Sequence, residues 1–188
     1  MLQVLKNNYT DNYHQLKNHV LTGNFSWTYL SDTTFDDSSD MGFYGHEFLR
    51  RPEMVGFTQP ISPLLELNLI VLKEIIDSNK LFDVYYFLRS NANCTHPDGG
   101  EQYSKPHIDH PFPHHNLLIY LTEGITYIDG KKYVGKEDDV ILFTGEHYIK
   151  RPTNNRRVVL ISTLVGQNID WLYTFLCYNR NIINSNDS

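Results

Sequence analysis

The sequence predicts a mainly β protein with supporting helices, an α+β sandwich or jelly roll. Three observations predict it. Short β-favouring runs follow one another between tight turn signals, one strongly amphipathic helical segment precedes most of them, and 13 Tyr and 10 Phe among 188 residues suit half-buried strand faces. A single domain is expected over 1–188, with its core at about 19–180 and a polar tail at 181–188.

Residues up to Asn18 are polar and read as a short helix or an ordered arm. The run from His19 to Leu30 reads as strand, turn at Gly23-Asn24, strand. Ser31 to Asp40 has the Ser/Asp/Thr composition of a surface connection, followed by the aromatic pair Phe43-Tyr44 and a passage to Ser62 broken by prolines. The clearest helix begins at Ser62-Pro63, with Ser as N-cap, Pro at the first helical position and apolar residues at Leu64, Leu65, Leu67, Ile70, Leu72, Ile75 and Ile76. It ends at Asp77-Ser78-Asn79. Leu81 to Leu88 reads as a core strand leading into a polar segment, Asn91 to Lys105, with a turn at Pro97-Asp98-Gly99-Gly100. Further strands are expected at Asn116 to Leu121, at Gly124 to Ile128 with an Asp129-Gly130 hairpin turn to Tyr133, at Asp139 to Phe143, and at Arg157 to Leu164. A last helix is expected from Asn168 to about Tyr178.

Composition excludes several functions. Lys plus Arg is 16 against 22 Asp plus Glu, a formal charge of −6 that offers no footprint for phosphate backbones, so no nucleic-acid partner is expected. Cys94 and Cys177 stand far apart without a CxxC pattern, which speaks against a zinc ribbon or a disulfide framework and for a reducing compartment. No apolar run reaches the length of a membrane span, so a cytoplasmic protein is expected.

The chemistry-bearing stretch is Lys105-Pro106-His107-Ile108-Asp109-His110. Read as a strand, it turns His107 and Asp109 to the same face, because side chains alternate. A second imidazole from a neighbouring strand would complete a two-His-one-carboxylate triad that leaves positions open on iron(II). His147, after Val140 to Phe143 and the turn Thr144-Gly145-Glu146, is the candidate. Downstream, Arg157 opens the last strong strand, where its guanidinium is suited to a bidentate pair with the far carboxylate of a dicarboxylate. Arg156 is its competitor, and alternation lets only one of the two face the interior.

These residues resemble the Fe(II)- and 2-oxoglutarate-dependent oxygenase superfamily, whose pattern is His-x-Asp, a distal His, then a basic residue at about the spacing of Arg157. The resemblance covers Leu81 to Leu164. Within it the chain is most similar to small phage-type, prolyl-4-hydroxylase-like members, through the Asn- and Gly-bearing segment Asn91 to Gly100 ahead of His-x-Asp, the Trp27 strand and the Ser62-Pro63 helix.

The resemblance implies a double-stranded β-helix, the cupin-like form of the jelly roll. It implies Fe(II) held by His107, Asp109 and His147, and 2-oxoglutarate held by Arg157 with Tyr120 and Asn93 lining its pocket. The implied reaction is oxidative decarboxylation of 2-oxoglutarate by O2 coupled to hydroxylation of a peptidyl or small-molecule substrate, in a host cytoplasm if the protein is phage-encoded. Asp109 argues against halogenation, since halogenating relatives lack that carboxylate. One departure is that the family's usual glycine pair and acidic residue between the middle strands are reduced to Gly124 and Asp129-Gly130, which implies a shorter lid. Two other classes fit the strand pattern: a non-catalytic jelly roll that binds a metal or ligand, and a phage accessory or structural interaction protein.

Other candidates have blander readings. His110, His114 and His115 lie in HPFPHH, whose prolines suggest an exposed polar loop at the site mouth. Cys94 and His96 are read as structural, and Trp27 and Trp171 as packing residues.

Overall fold

The computed structural model describes residues 1–31, 41–52, 56–81 and 83–166, with Tyr85 described by its backbone alone. The expected C-terminal helix from Asn168 to Tyr178, with Trp171, Cys177 and the tail 181–188, lies outside the described residues, as does most of the Ser31 to Asp40 connection.

In chain order the elements are β1 (Leu2–Leu5), α1 (Asp11–Leu21), β2 (Thr28–Leu30), β3 (Phe43–Arg50), β4 (Gln59–Pro60), α2 (Leu65–Ser78), β5 (Val84–Thr95), β6 (His115–Tyr120), β7 (Gly124–Ile128), β8 (Lys131–Gly135), β9 (Val140–Phe143), β10 (His147–Lys150) and β11 (Arg157–Gly166). All pairings are antiparallel. A large sheet runs in the order β1-β9-β6-β11-β5-β3-β2, with β4 on β3, and a small sheet runs β10-β7-β8. This is the expected double-stranded β-helix with helices on one side.

Strand alternation divides the large sheet into two working faces. Leu117, Ile119, Val140, Leu142, Val158, Leu160, Ala92 and Cys94 point outward and pack beneath α1 and α2, joined by Tyr13, Leu16, Val20, Val71, Leu72 and Ile75. Leu118, Tyr120, Ile141, Phe143, Val159 and Ile161 point inward to the space closed by the small sheet. Because both faces are covered, β6, β9 and β11 read as continuous apolar runs rather than alternating ones.

Three expectations for the helical side are corrected. His19 to Leu21 is the last turn of α1, not a strand: Tyr13, Leu16 and Val20 form a buried stripe at helical spacing, and Thr10 accepts a bond from Tyr13 N as N-cap. Only Thr28–Leu30 of the expected hairpin is strand. Helix α2 starts at Leu65, two residues later than the Ser62-Pro63 signal, because Ser62 closes a turn first: its hydroxyl accepts from Leu64 N and its carbonyl from Leu65 N. The core also reaches further back than residue 19, since Leu5, Tyr13 and Leu16 are buried in it and β1 pairs with β9.

Strand β5 continues through Asn91–Thr95, which the sequence assigns to a polar connection. β11 lies along its whole length and supplies the ladder that those polar side chains do not discourage. The Asp129-Gly130 turn is as expected, with both residues at positive φ (48° and 73°), the requirement of a two-residue hairpin. Among the described residues no helix is long and apolar enough to cross a membrane.

Candidate metal and cosubstrate site

The cavity between the two sheets is lined from β5 by Arg89, Asn91, Asn93 and Thr95, from β11 by Arg157, Val159 and Ile161, and from the small sheet by Thr126, His147 and Ile149, with His107 beside them. A polar side chain at every second position makes β5 a ladder of hydrogen-bonding groups along an otherwise apolar wall. Asn91 Oδ1 and Asn93 Oδ1 are buried and make no hydrogen bond within the protein, so each has an unused acceptor at this wall.

His107, Asp109 and His147 converge at one end. Their ligating atoms lie within 4.8 Å of one another, with His147 Nε2 3.6 Å from Asp109 Oδ2 and His107 Nε2 4.0 Å from Asp109 Oδ1. The His-x-Asp segment is not a strand, as its sequence suggests, but a single bridge: His107 and His147 exchange backbone bonds of 3.0 and 2.9 Å, and the chain then bends through Asp109 to Phe112. Pro106 removes a donor on one side, and the bend that follows carries Asp109 under β5. The alternation argument therefore reaches the right juxtaposition through a shorter element.

Each imidazole is oriented from behind. His107 Nδ1 donates to Lys105 O at 3.0 Å and His147 Nδ1 to Gly145 O at 3.4 Å, which leaves both Nε2 atoms as acceptors facing the carboxylate. Burial pushes the His147 imidazole down to about 4, so it is neutral near pH 7, the state in which it can ligate. Burial also raises the Asp109 carboxyl, but the guanidinium of Arg89, with that of Arg51 and the imidazoles of His147 and His107 acting the same way, outweighs it and holds Asp109 well below the usual carboxylate range. Asp109 Oδ2 is buried and has no hydrogen-bond partner. Two imidazole nitrogens around an orphaned carboxylate oxygen fit a divalent metal of intermediate softness such as iron(II).

Arg157 sits at the far end, 3 % exposed, its Nη2 donating to Thr126 Oγ1 at 3.0 Å and its guanidinium 5.5 Å from the Tyr120 ring centroid. The stem of Arg157 crosses Gly124, where a Cβ would come within 2.6 Å of Arg157 Cδ. Arg156 turns the other way and donates to Leu21 O at 2.9 Å, at the end of α1. Of the pair, only Arg157 lines the cavity. Asn93 lines it too. Tyr120 lies behind the wall, fully buried, with its hydroxyl 2.7 Å from Thr126 Oγ1.

The HPFPHH segment is not an exposed loop. His110, Phe112 and His114 are buried, His110 Nε2 bonds Thr163 Oγ1 at 2.9 Å, and Phe112 packs with Leu88 and Val165. Pro111 and Pro113 are themselves exposed, while the side chains of His110, Phe112 and His114 turn inward. Sequence reasoning missed Arg89, Asn91, Thr95 and Thr126 as lining groups. The polar period of two across Arg89, Asn91, Asn93 and Thr95 is the signal that marks most of them. Cys94 faces the helix side, buried, with Sγ 3.6 Å from His96 Nε2, and Trp27 packs at the core edge against Phe25.

No protein-family model matches the sequence, and no curated protein matches it. The structure is similar to several solved ones. A 2OG-Fe(II) oxygenase family oxidoreductase from Burkholderia pseudomallei aligns with a TM-score of 0.60 and 15% identity over 87% of this chain and 84% of that one. A prolyl hydroxylase from Trichoplax adhaerens, in complex with a peptide fragment of the hypoxia inducible factor oxygen degradation domain, aligns at 0.59 and 13% over 88% and 84%. The viral collagen prolyl hydroxylase of Paramecium Bursaria Chlorella virus-1, in complex with 2OG, aligns at 0.54 and 13% over 87% and 94%. The chain thus has the fold of the 2OG-Fe(II) oxygenases.

Proposed function

We propose that the protein is a non-haem Fe(II)- and 2-oxoglutarate-dependent dioxygenase that couples oxidative decarboxylation of 2-oxoglutarate to hydroxylation of a peptidyl or small-molecule substrate. One observation carries this reading: two imidazole nitrogens and a carboxylate oxygen meet at one end of a cavity that holds a buried guanidinium at its other end.

His107, Asp109 and His147 would hold the iron, and Fe(II) when bound supplies the oxygen activation that the side chains of this site lack. Arg157 would pair with the far carboxylate of 2-oxoglutarate, and the Nδ2 amide groups of Asn91 and Asn93, which line the same wall, would donate to its oxygens along β5. Ile149, Val159 and Ile161 keep the middle of the cavity apolar and limit water there. Retention of the carboxylate at Asp109 favours hydroxylation over halogenation. The viral and Trichoplax neighbours are prolyl hydroxylases, and the Trichoplax one carries a peptide, which supports a peptidyl substrate as the first class to screen.

The test is an anaerobic titration of metal-free protein with iron(II) and 2-oxoglutarate, in wild type and His107→Ala. A weak visible charge-transfer band in wild type alone is expected. A folded, metal-free wild type that develops no band would overturn the assignment and favour a non-catalytic binding module.

A further inference from the structure

Arg89 is a largely covered cation, its side chain 13 % exposed, that the proposed reaction does not use. The pairing of β11 with β5 runs in step from Arg157↔Thr95 to Thr163↔Arg89, then shifts so that Leu164 faces Phe87. The extra residue is Leu88, which turns into the cluster of Phe112 and Val165. Arg89 is the last residue of the in-step pairing and faces the cavity with Asn91, Asn93 and Thr95, its Nη2 2.9 Å from Asp109 Oδ1. Arg51 approaches the same carboxylate more loosely, at 3.8 Å, and donates to the Asp109 backbone carbonyl at 3.3 Å. The two oxygens of Asp109 are therefore unlike: Oδ1 is held by Arg89 and lies 4.0 Å from His107 Nε2, while Oδ2 is buried, unbonded and 3.6 Å from His147 Nε2.

We propose that Arg89 is a positioning residue that holds Asp109 Oδ1 away from the metal, so that Asp109 offers a single oxygen, Oδ2, and keeps the remaining positions open for ligands. The inference rests on the metal reading given above. Its physical basis is competition for one lone-pair-bearing oxygen: a charge-assisted bond at 2.9 Å must be broken before Oδ1 can turn to a cation, and Arg89 is held in the continuous pairing of β5 with β11. A carboxylate free of this restraint can close on a metal with both oxygens, and the second oxygen displaces one exchangeable ligand.

The experiment uses Mn(II) with the full chain, reading metal binding and the water-proton relaxivity of the bound ion, which counts metal-bound waters. Arg89→Met is expected to bind Mn(II) with relaxivity lowered by roughly a third, as one of the waters at the open positions of the triad is replaced by Oδ1. Arg89→Lys, which keeps a cation beside Oδ1, is expected to return toward the wild-type value, as a bystander structural residue would not require. Thermal melting of the metal-free proteins reports whether each variant is folded, and Arg89→Leu, expected to lower relaxivity in the same way, carries the comparison if Arg89→Met is not. Wild-type relaxivity in a folded Arg89→Met protein would overturn this inference alone. A wild-type protein that takes up no Mn(II) would overturn it together with the metal reading.

Discussion

Tyr120 and Arg157 are joined through one atom, Thr126 Oγ1, which lies 2.7 Å from the Tyr120 hydroxyl and accepts from Arg157 Nη2 at 3.0 Å, while the guanidinium rests over the Tyr120 ring. The guanidinium is thus held from β6 and β7 before any ligand arrives. Thr126→Val removes the shared oxygen and leaves two buried polar groups short of a partner, at a cost of about 1–3 kcal/mol for each unsatisfied group. Tyr120→Phe removes one bond and leaves the Arg157–Thr126 bond, so about 1 kcal/mol is expected. Chemical denaturation should rank the two variants in that order. A Tyr120→Phe protein less stable than Thr126→Val would show that the hydroxyl has a further partner.

Gly124 is required by closeness of approach. A methyl group there would meet Arg157 Cδ at 2.6 Å and Cγ at 2.7 Å, atoms in the middle of a side chain whose far end is already bonded, so the arginine cannot simply swing aside. Gly124→Ala is expected to cost about 1–3 kcal/mol of stability as an overpacked site. It should also weaken 2-oxoglutarate binding on the order of tenfold, about 1.4 kcal/mol, because the guanidinium is displaced from the cavity end. Mn(II) affinity, measured in the absence of 2-oxoglutarate, should not move, since the triad lies at the other end.

Stability of the metal-free protein should fall in mild acid. Burial depresses the His147 imidazole from 6.5 to about 4, so the folded state favours its neutral form. The resulting stability is fully present above pH 6.5 and is lost as pH falls toward 4, because the unfolded chain takes up the proton first. The loss attributable to His147 is on the order of 3 kcal/mol, and burial of His114 and His115 acts in the same direction. Denaturation curves between pH 7 and 4 (roughly the window set by these groups) should flatten in His147→Asn. An unchanged slope in that variant would assign the acid sensitivity to the other histidines.

How much of this was legible in sequence depends on how local each signal is. The spacing of His107, Asp109, His147 and Arg157 singles them out in the sequence; the structure groups the first three, and His107, His147 and Arg157 line one cavity. The hairpin at Asp129-Gly130 was legible because its turn chemistry is carried by two adjacent residues. Strand β10, only four residues long, gives too short a pattern to read, and the polar half of β5 looks like a loop until β11 is seen to cover it. Arg89 shares the polar period of two with Asn91, Asn93 and Thr95, but its pairing with Asp109 joins two separate segments of the chain, which no local pattern encodes. The buried histidines of HPFPHH were misread because proline reports on backbone shape and says nothing about depth.

Arg156 and Arg157 give the sharpest test of the cosubstrate reading, because adjacent residues of one type face opposite sides of the sheet. Arg157 lines the cavity, whereas Arg156 Nη2 caps the Leu21 carbonyl at the end of α1, at 2.9 Å. Arg157→Gln removes the charge and the planar fork that a carboxylate pairs with, and 2-oxoglutarate binding should weaken by at least two orders of magnitude, roughly the 3 kcal/mol or more of a buried charge pair that loses one partner. Arg157→Lys should recover only part of the loss, since an ammonium cannot make the bidentate pair. Arg156→Gln should leave 2-oxoglutarate binding at its wild-type value and lower stability by about 1 kcal/mol, the worth of one hydrogen bond anchoring α1. Calorimetric titration of the Mn(II)-loaded proteins with 2-oxoglutarate separates these outcomes. Equal loss in Arg156→Gln and Arg157→Gln would mean that general positive charge, not the guanidinium at the cavity end, attracts the dicarboxylate.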